Sequence, residues 1–151
     1  MKNIAIGILM VLFLSVLIEP LVEIANVMRE KIIIGTAISN SCRSAKDRSL
    51  NLLKQRDMDA EIDEDIFIDY FSEAFETALN VSRDTISGNT ITFKPNDDKY
   101  NSFTVTLDFL TEEDAYTEKY KTEVTVKAET PYKFKTKYLR LAEDASGIGY
   151  D

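Results

Sequence analysis

Residues 4–18 read IAIGILMVLFLSVLI, an apolar run in which Ser15 is the only polar side chain. At about 1.5 Å per residue, a helix of this length covers roughly 22 Å, which is less than the roughly 30 Å hydrocarbon core of a bilayer. Continuing the helix to Met28 gives ample length, although the helix then includes Glu19 and Glu23. The run therefore predicts a membrane-spanning helix at the start of the chain.

A cleaved signal peptide is the main alternative to a permanent anchor. Such a peptide has a basic start and a small-x-small cleavage site. Here the start offers only Lys2, and no suitable cleavage site follows the apolar run. We therefore expect an uncleaved transmembrane anchor over residues 1–31. Basic residues near the span are roughly balanced between its two ends, so the charges alone do not set its orientation.

Two carboxylates follow the apolar run. Glu19 and Glu23 are four residues apart and so share one face of a helix. Either both lie among hydrated headgroups, or both are buried against a cationic partner such as the α-amine, Arg29 or Lys31 of a neighbouring copy. Pro20 removes a backbone donor and favours a kink where the helix leaves the membrane. We therefore single out these five residues as candidates for assembly.

The remaining sequence predicts an α+β fold. One long helix is expected over residues 4–55, with a stripe that includes Ile34, Ala37, Ile38, Ala45 and Leu52. A second helix is expected over residues 63–80, with Asp63 as its N-cap and an apolar face that includes Phe67, Phe71 and Phe75. Period-two alternation predicts strands at residues 90–94, 102–110, 120–128 and 132–138, with a turn at 111–114. In the second of these strands, Phe103, Val105, Leu107 and Phe109 share the face that is expected to be buried. The predicted architecture is a membrane-spanning helix that continues into a soluble domain, residues 32–142, in which the second helix packs on a three- to four-stranded antiparallel sheet. Residues 143–151 are expected to form a flexible tail.

The last predicted strand carries a stripe of lysines: Lys133, Lys135 and Lys137. Lysines on an edge strand discourage pairing with other sheets. The alternative is a patch that binds lipid or another polyanion. Both interpretations make the stripe a candidate interaction surface.

Composition excludes several kinds of chemistry. The chain has 151 residues, no histidine, one cysteine and five scattered glycines. It therefore lacks a Ser–His or Cys–His nucleophile pair, a CxxC motif and a phosphate-binding glycine loop. The acidic run at residues 57–65 does not fit a calcium loop, because its sixth position is Ile62 rather than glycine. We expect no enzyme activity, no cofactor and no metal site.

Charge is distributed unevenly along the chain. The net charge is −8, with an acidic middle at residues 56–118 and a basic segment at residues 119–140. Nucleic-acid binding requires a dominant positive footprint, so this balance disfavours it. The two segments either neutralise each other within one domain or steer the chain onto other copies or onto partners.

Four stretches carry a resemblance to a known family: residues 17–22 (LIEPLV), 37–45 (AISNSCRSA), 123–127 (EVTVK) and 130–132 (TPY). They resemble stretches of the TadE-like pseudopilins, a group of pilin-like proteins. The resemblance implies a single-pass membrane protein with its C-terminal domain outside the cytoplasm. It also implies a subunit of a tight-adherence or type IV-like pilus or a related secretion apparatus. Its partners would be other copies, pilin-like subunits, membrane lipid and an inner-membrane assembly platform.

One departure from the pilin pattern concerns processing. Prepilin cleavage uses a glycine followed five residues later by glutamate, whereas Leu12 stands five residues after Gly7. An unprocessed anchor is therefore expected. The alternative function is a membrane-anchored envelope binding or accessory protein that does not form fibres.

Overall fold

The computed structural model describes residues 2–50, 62–114, 119–137 and 139–141. The elements are helix α1 (Lys2–Ser49), helix α2 (Glu64–Leu79) and strands β1 (Val81–Ser87), β2 (Thr90–Pro95), β3 (Phe103–Asp114) and β4 (Lys119–Glu129). The four strands form one antiparallel sheet in the order β1-β2-β3-β4. The predicted α+β class is confirmed.

The chain divides into two compact units. The terminal unit comprises Met1–Ile33 with Tyr132–Asp151, and the sheet unit comprises Ile34–Pro131. The first division falls close to the predicted boundary at residue 31. The segment that follows Pro131 groups with the start of α1, although the sequence places residues 132–142 in the soluble domain.

Helix α1 is a single continuous helix despite its internal proline. Pro20 lies inside it, where it donates no backbone hydrogen bond. In the sheet unit, α1 buries four small residues at steps of four: Ala37, Ser41, Ala45 and Ser49. Ile34 and Ile38 are half-buried, and Leu52 lies outside the described residues. The predicted stripe is therefore present, and its buried positions are the small ones, which allow neighbouring backbone to approach closely.

Helix α2 has well-defined caps at both ends. The Asp63 carboxylate accepts a hydrogen bond from the Ile66 backbone N–H at 3.1 Å, as the sequence predicts for an N-cap. At the other end Asn80 adopts a left-handed conformation with φ 54°, which asparagine tolerates better than most residues. The helix thus ends where β1 begins.

Aromatic side chains form the core of the sheet unit. Phe75 lies 4.9 Å from Phe93 and 5.9 Å from Phe103 between ring centroids, and Phe67 meets Phe109 edge-to-face at 5.5 Å. These contacts pack α2 onto β2 and β3. The predicted inner face of β3 is confirmed at three fully buried positions: Phe103, Val105 and Leu107.

Three expectations about the strands are corrected. Strand β1 was not predicted, because its sequence VSRDTIS shows no apolar alternation; only Val81 is buried in it. The predicted turn at residues 111–114 is wrong, since β3 runs through Asp114. The predicted strand at 132–138 is also wrong: residues 131–135 are irregular and the chain turns helically at residues 137 and 139–141. The reason is that two backbone donors of this segment, the N–H groups of Lys135 and Thr136, bond to the side chain of Glu23 on α1 instead of to a strand.

Candidate functional site

The first part of α1 exposes an apolar surface on all sides. Leu9, Phe13 and Val16 are 68%, 64% and 72% exposed. Within α1, the most apolar stretch near the N-terminus has no buried residue and is long and apolar enough to cross a membrane. Signal sequences and the core helices of soluble proteins meet the same criteria of length and hydropathy. This part of α1 is therefore a candidate membrane span.

Just beyond the apolar run, Glu23 bonds to the backbone of a segment of the terminal unit that is distant in sequence. One carboxylate oxygen, Oε1, accepts the backbone N–H of Lys135 at 2.7 Å, and the other, Oε2, accepts that of Thr136 at 3.2 Å. Only 4% of Glu23 is exposed. Since both oxygens accept from successive donors, the carboxylate fixes the position and the direction of the segment.

A second carboxylate on the same side of α1 reinforces this contact. Glu30, seven residues after Glu23, is 8% exposed, and its Oε2 lies 3.4 Å from Lys135 Nζ. The same ammonium group lies 5.9 Å from the centroid of the Tyr132 ring. Lys135 thus contacts Glu23 through its backbone and Glu30 through its side chain. We call the set Glu23, Glu30, Tyr132, Lys135 and Thr136 the carboxylate latch.

The aromatic member of the latch lies against the two acids. Burial raises the pKa of the Tyr132 phenol, and the negative charges of Glu23 and Glu30 raise it further. Its ring also meets Phe134 edge-to-face at 5.6 Å. The hydroxyl oxygens of Tyr132 and Thr136 are both buried. Tyr132 therefore stays protonated at neutral pH and contributes packing to the latch.

The structure brings together only some of the predicted interaction residues. Glu23 and Lys135 meet in the latch, with Glu23 bound to its own chain rather than to a neighbouring copy. Glu19 is half-buried, with no hydrogen bond or ion pair to the described residues. The others lie outside the five residues of the latch: Pro20, Arg29, Lys31 and Lys137 are exposed and Lys133 is half-buried.

Three members of the latch were not predicted from the sequence. Glu30, Tyr132 and Thr136 belong to no recognisable sequence motif. The one usable signal is that Glu30 follows Glu23 by seven residues, a spacing that places both on one helical face. Lys135 was predicted for its charge, whereas its backbone N–H makes the shorter contact. Backbone donors are the same for nearly every residue type, so the sequence contains no signal for them.

Two observations on the described residues concern metal binding and thiol chemistry. No group of three or more His, Cys, Asp or Glu among them is placed to hold a metal ion. Burial raises the pKa of the Cys42 thiol to about 11, so the thiol is protonated and weakly nucleophilic at neutral pH. The latch itself is defined by hydrogen bonds and an ion pair that attach the segment after Pro131 to α1.

The arrangement thus combines an apolar helix, a buried carboxylate that fixes a return segment, and a compact sheet unit. Each of these features is local to one unit of the chain. No protein-family model, curated protein or solved structure matches this chain.

Proposed function

We propose that the protein is a membrane-anchored, pilin-like structural subunit of a tight-adherence or type IV-like pilus or a related secretion apparatus. The observation that supports this most directly is the exposed apolar surface of α1, in a helix that continues into a compact α+β unit. Water is a poor environment for such a surface, so lipid or the helices of other subunits must cover it. A subunit that passes from membrane to fibre needs a helix that both environments can cover.

The small residues of α1 support the same proposal. A Cβ atom added at exposed Gly7 or Gly35 would meet no neighbouring atom within 4 Å, so each glycine leaves room beside the helix. Small residues on a helix surface let a second helix approach closely, which is how helices pack without a hydrophobic driving force between them. Copies of α1 therefore have positions at which they can meet.

The carboxylate latch leaves Glu19, rather than Glu23, as the acid for an ion pair between subunits. Glu23 has its hydrogen-bond partners within its own chain and needs no cation from a neighbour. Glu19 is half-buried and has no such partner among the described residues. In this proposal Glu19 is the acid that meets a basic group of the next subunit, and Glu23 holds the return segment against α1.

A second candidate is a single-pass envelope protein that binds a partner but does not form fibres. The same latch favours it, because a satisfied Glu23 removes one reason for copies to associate. Both candidates place the C-terminal domain outside the cytoplasm. They differ in whether the apolar part of α1 packs against the α1 helices of other copies.

The test is to express the full chain in a bacterium with a tight-adherence apparatus and to analyse three fractions. Washed membranes should contain the chain with an intact start, and protease added to spheroplasts should digest the C-terminal domain. Material sheared from the cell surface should contain the chain in a polymer, and Glu19→Gln should reduce that amount several-fold. Membrane-bound chain that is absent from sheared polymer would support the second candidate. A soluble chain beginning near Asn26 would contradict both.

A further inference from the structure

Strand β4 is an outer strand of the sheet. It is 11 residues long and pairs with β3 along its whole length, from Asp114 opposite Lys119 to Thr104 opposite Glu129. Within the part of the chain that the structure describes, no strand pairs with its other edge. Every second residue of an outer strand directs its N–H and C=O groups away from the sheet, where they can pair with a further strand.

The inner face of β4 is incompletely covered. Val124 and Val126 are half-buried, whereas Val105 and Leu107 on the adjacent strand have no exposed surface. Two β-branched apolar residues at a sheet edge therefore keep contact with water. A strand added beside β4 would cover both.

The exposed face of β4 has charges in a self-complementary order. In sequence it reads Lys121, Glu123, Thr125, Lys127 and Glu129. When two copies of β4 are aligned antiparallel about Thr125, Lys121 lies opposite Glu129 of the second copy and Glu123 lies opposite its Lys127. Both pairs occur twice because the arrangement is symmetric. On the other face, Val124 lies opposite Val126 of the second copy.

Neighbouring registers lack this complementarity. Moving the centre to Val124 places Lys121 opposite Lys127, and moving it to Val126 places Glu123 opposite Glu129. Like charges directly opposite each other destabilise a strand pair, and opposite charges stabilise it. The charges therefore select the register centred on Thr125 from those nearest to it.

Glu123 has no cation opposite it within its own sheet. Its partner on β3 is Leu110, and the acids Asp108 and Glu112 lie at the diagonal positions. Lys127 pairs along its own strand with Glu129, but their side chains are 70% and 65% exposed, so that contact is weak and free to rearrange. A second copy would supply Glu123 with the cation that β3 does not.

We propose that β4 is a docking edge for a second copy of this chain, in which two β4 strands pair antiparallel about Thr125 to join the sheets. The contact uses the same surface on both copies and so closes after two copies. It cannot by itself propagate a fibre, and it does not depend on the function proposed above.

Charge exchange tests the register in the full chain, purified in detergent micelles. Lys127→Glu places glutamates opposite each other twice, and we expect the dimer association constant, measured by sedimentation, to fall on the order of tenfold. The double variant Glu123→Lys with Lys127→Glu restores both pairs at the wild-type net charge, so the constant should return to within about twofold. A double variant that stays as weak as Lys127→Glu would overturn the register.

Disulfide trapping tests the position of the axis, with Cys42→Ala as the background. In Thr125→Cys the paired Cα atoms would be about 4.5–5.5 Å apart, which a disulfide can bridge. The matched control is Asp108→Cys, which lies opposite Thr125 on β3 and whose copies would be roughly 14 Å apart. We expect rapid crosslinking of the first and none of the second. A monomer that crosslinks at neither position, or equally at both, would overturn the proposal.

Discussion

Substitution of Glu23 tests the carboxylate latch most directly. The change Glu23→Gln keeps the shape of the side chain but removes its charge and leaves one acceptor oxygen for two backbone donors. Glu23→Ala removes both acceptors. Of the N–H groups of Lys135 and Thr136, one loses its acceptor in Glu23→Gln and both lose it in Glu23→Ala, so the segment should detach from α1 more often.

The size of the effect follows from the two hydrogen bonds. A hydrogen bond to a charged group contributes about 1.5–3 kcal/mol net. Glu23→Gln should therefore cost about 2 kcal/mol for closing the latch and Glu23→Ala about 4 kcal/mol. Since about 1.4 kcal/mol corresponds to a factor of ten, opening of the segment should rise on the order of 30-fold in Glu23→Gln and further in Glu23→Ala.

Trypsin is a suitable probe because the segment contains its own cleavage sites. Lys133, Lys135 and Lys137 lie within or next to the latch. When opening is fast relative to cleavage, the cleavage rate is proportional to the open population. The rate of cleavage at Lys133, measured by mass spectrometry on full-length chain in micelles, should increase in the order wild type, Glu23→Gln, Glu23→Ala, until the segment is fully open.

Glu19→Gln is the matched control. Glu19 lies one turn before Glu23 on the same helix and has no hydrogen bond or ion pair to the described residues, so its substitution should leave cleavage unchanged. Equal cleavage rates in wild type and Glu23→Gln would refute the latch. Equal acceleration by Glu19→Gln and Glu23→Gln would show that the charge of the helix matters rather than the two hydrogen bonds.

Three further predictions concern the sheet unit and the thiol. Leu107→Asp places an unpaired charge in a fully buried position and should destabilise the fold by about 3 kcal/mol or more in a thermal melt, whereas Leu110→Asp on the exposed face should change stability by less than about 1 kcal/mol. Asp63→Ala removes the N-cap of α2 and should cost about 1 kcal/mol of unfolding free energy by the same measurement; no change would show that the cap is dispensable. Because the pKa of Cys42 is raised to about 11, alkylation by iodoacetamide should keep accelerating as the pH rises past 9, and a plateau near pH 9 would contradict its burial.

The sequence alone predicted those helices and strands whose pattern lies within one short segment. The apolar run, the cap and aromatic face of α2, and the alternation of β2, β3 and β4 all lie within a few consecutive residues. Each of these patterns states which face of a helix or strand is to be buried. The α+β class and the buried positions of β3 followed from them.

Only the tertiary structure decided β1 and the fate of residues 132–138. In β1, two charged side chains form ion pairs with other elements. Arg83 Nη1 lies 2.9 Å from Oδ1 of Asp69 on α2, and Asp84 Oδ1 lies 3.0 Å from Nζ of Lys94 on β2. These ion pairs accompany the backbone pairing of β1 with β2, which makes a strand without an apolar pattern. It is invisible to a search for periodicity, which considers one segment at a time.

The segment after Pro131 shows the opposite case. Tyr132, Phe134 and Thr136 alternate with lysines as a strand would, yet the structure has no strand there. The backbone N–H groups of Lys135 and Thr136 bond to Glu23, which is 112 residues away from Lys135 along the chain. A backbone N–H that donates to a buried carboxylate cannot also donate to a neighbouring strand. Alternation predicts which side chains share a face, but which acceptor takes the backbone hydrogen bonds is settled only when the chain folds.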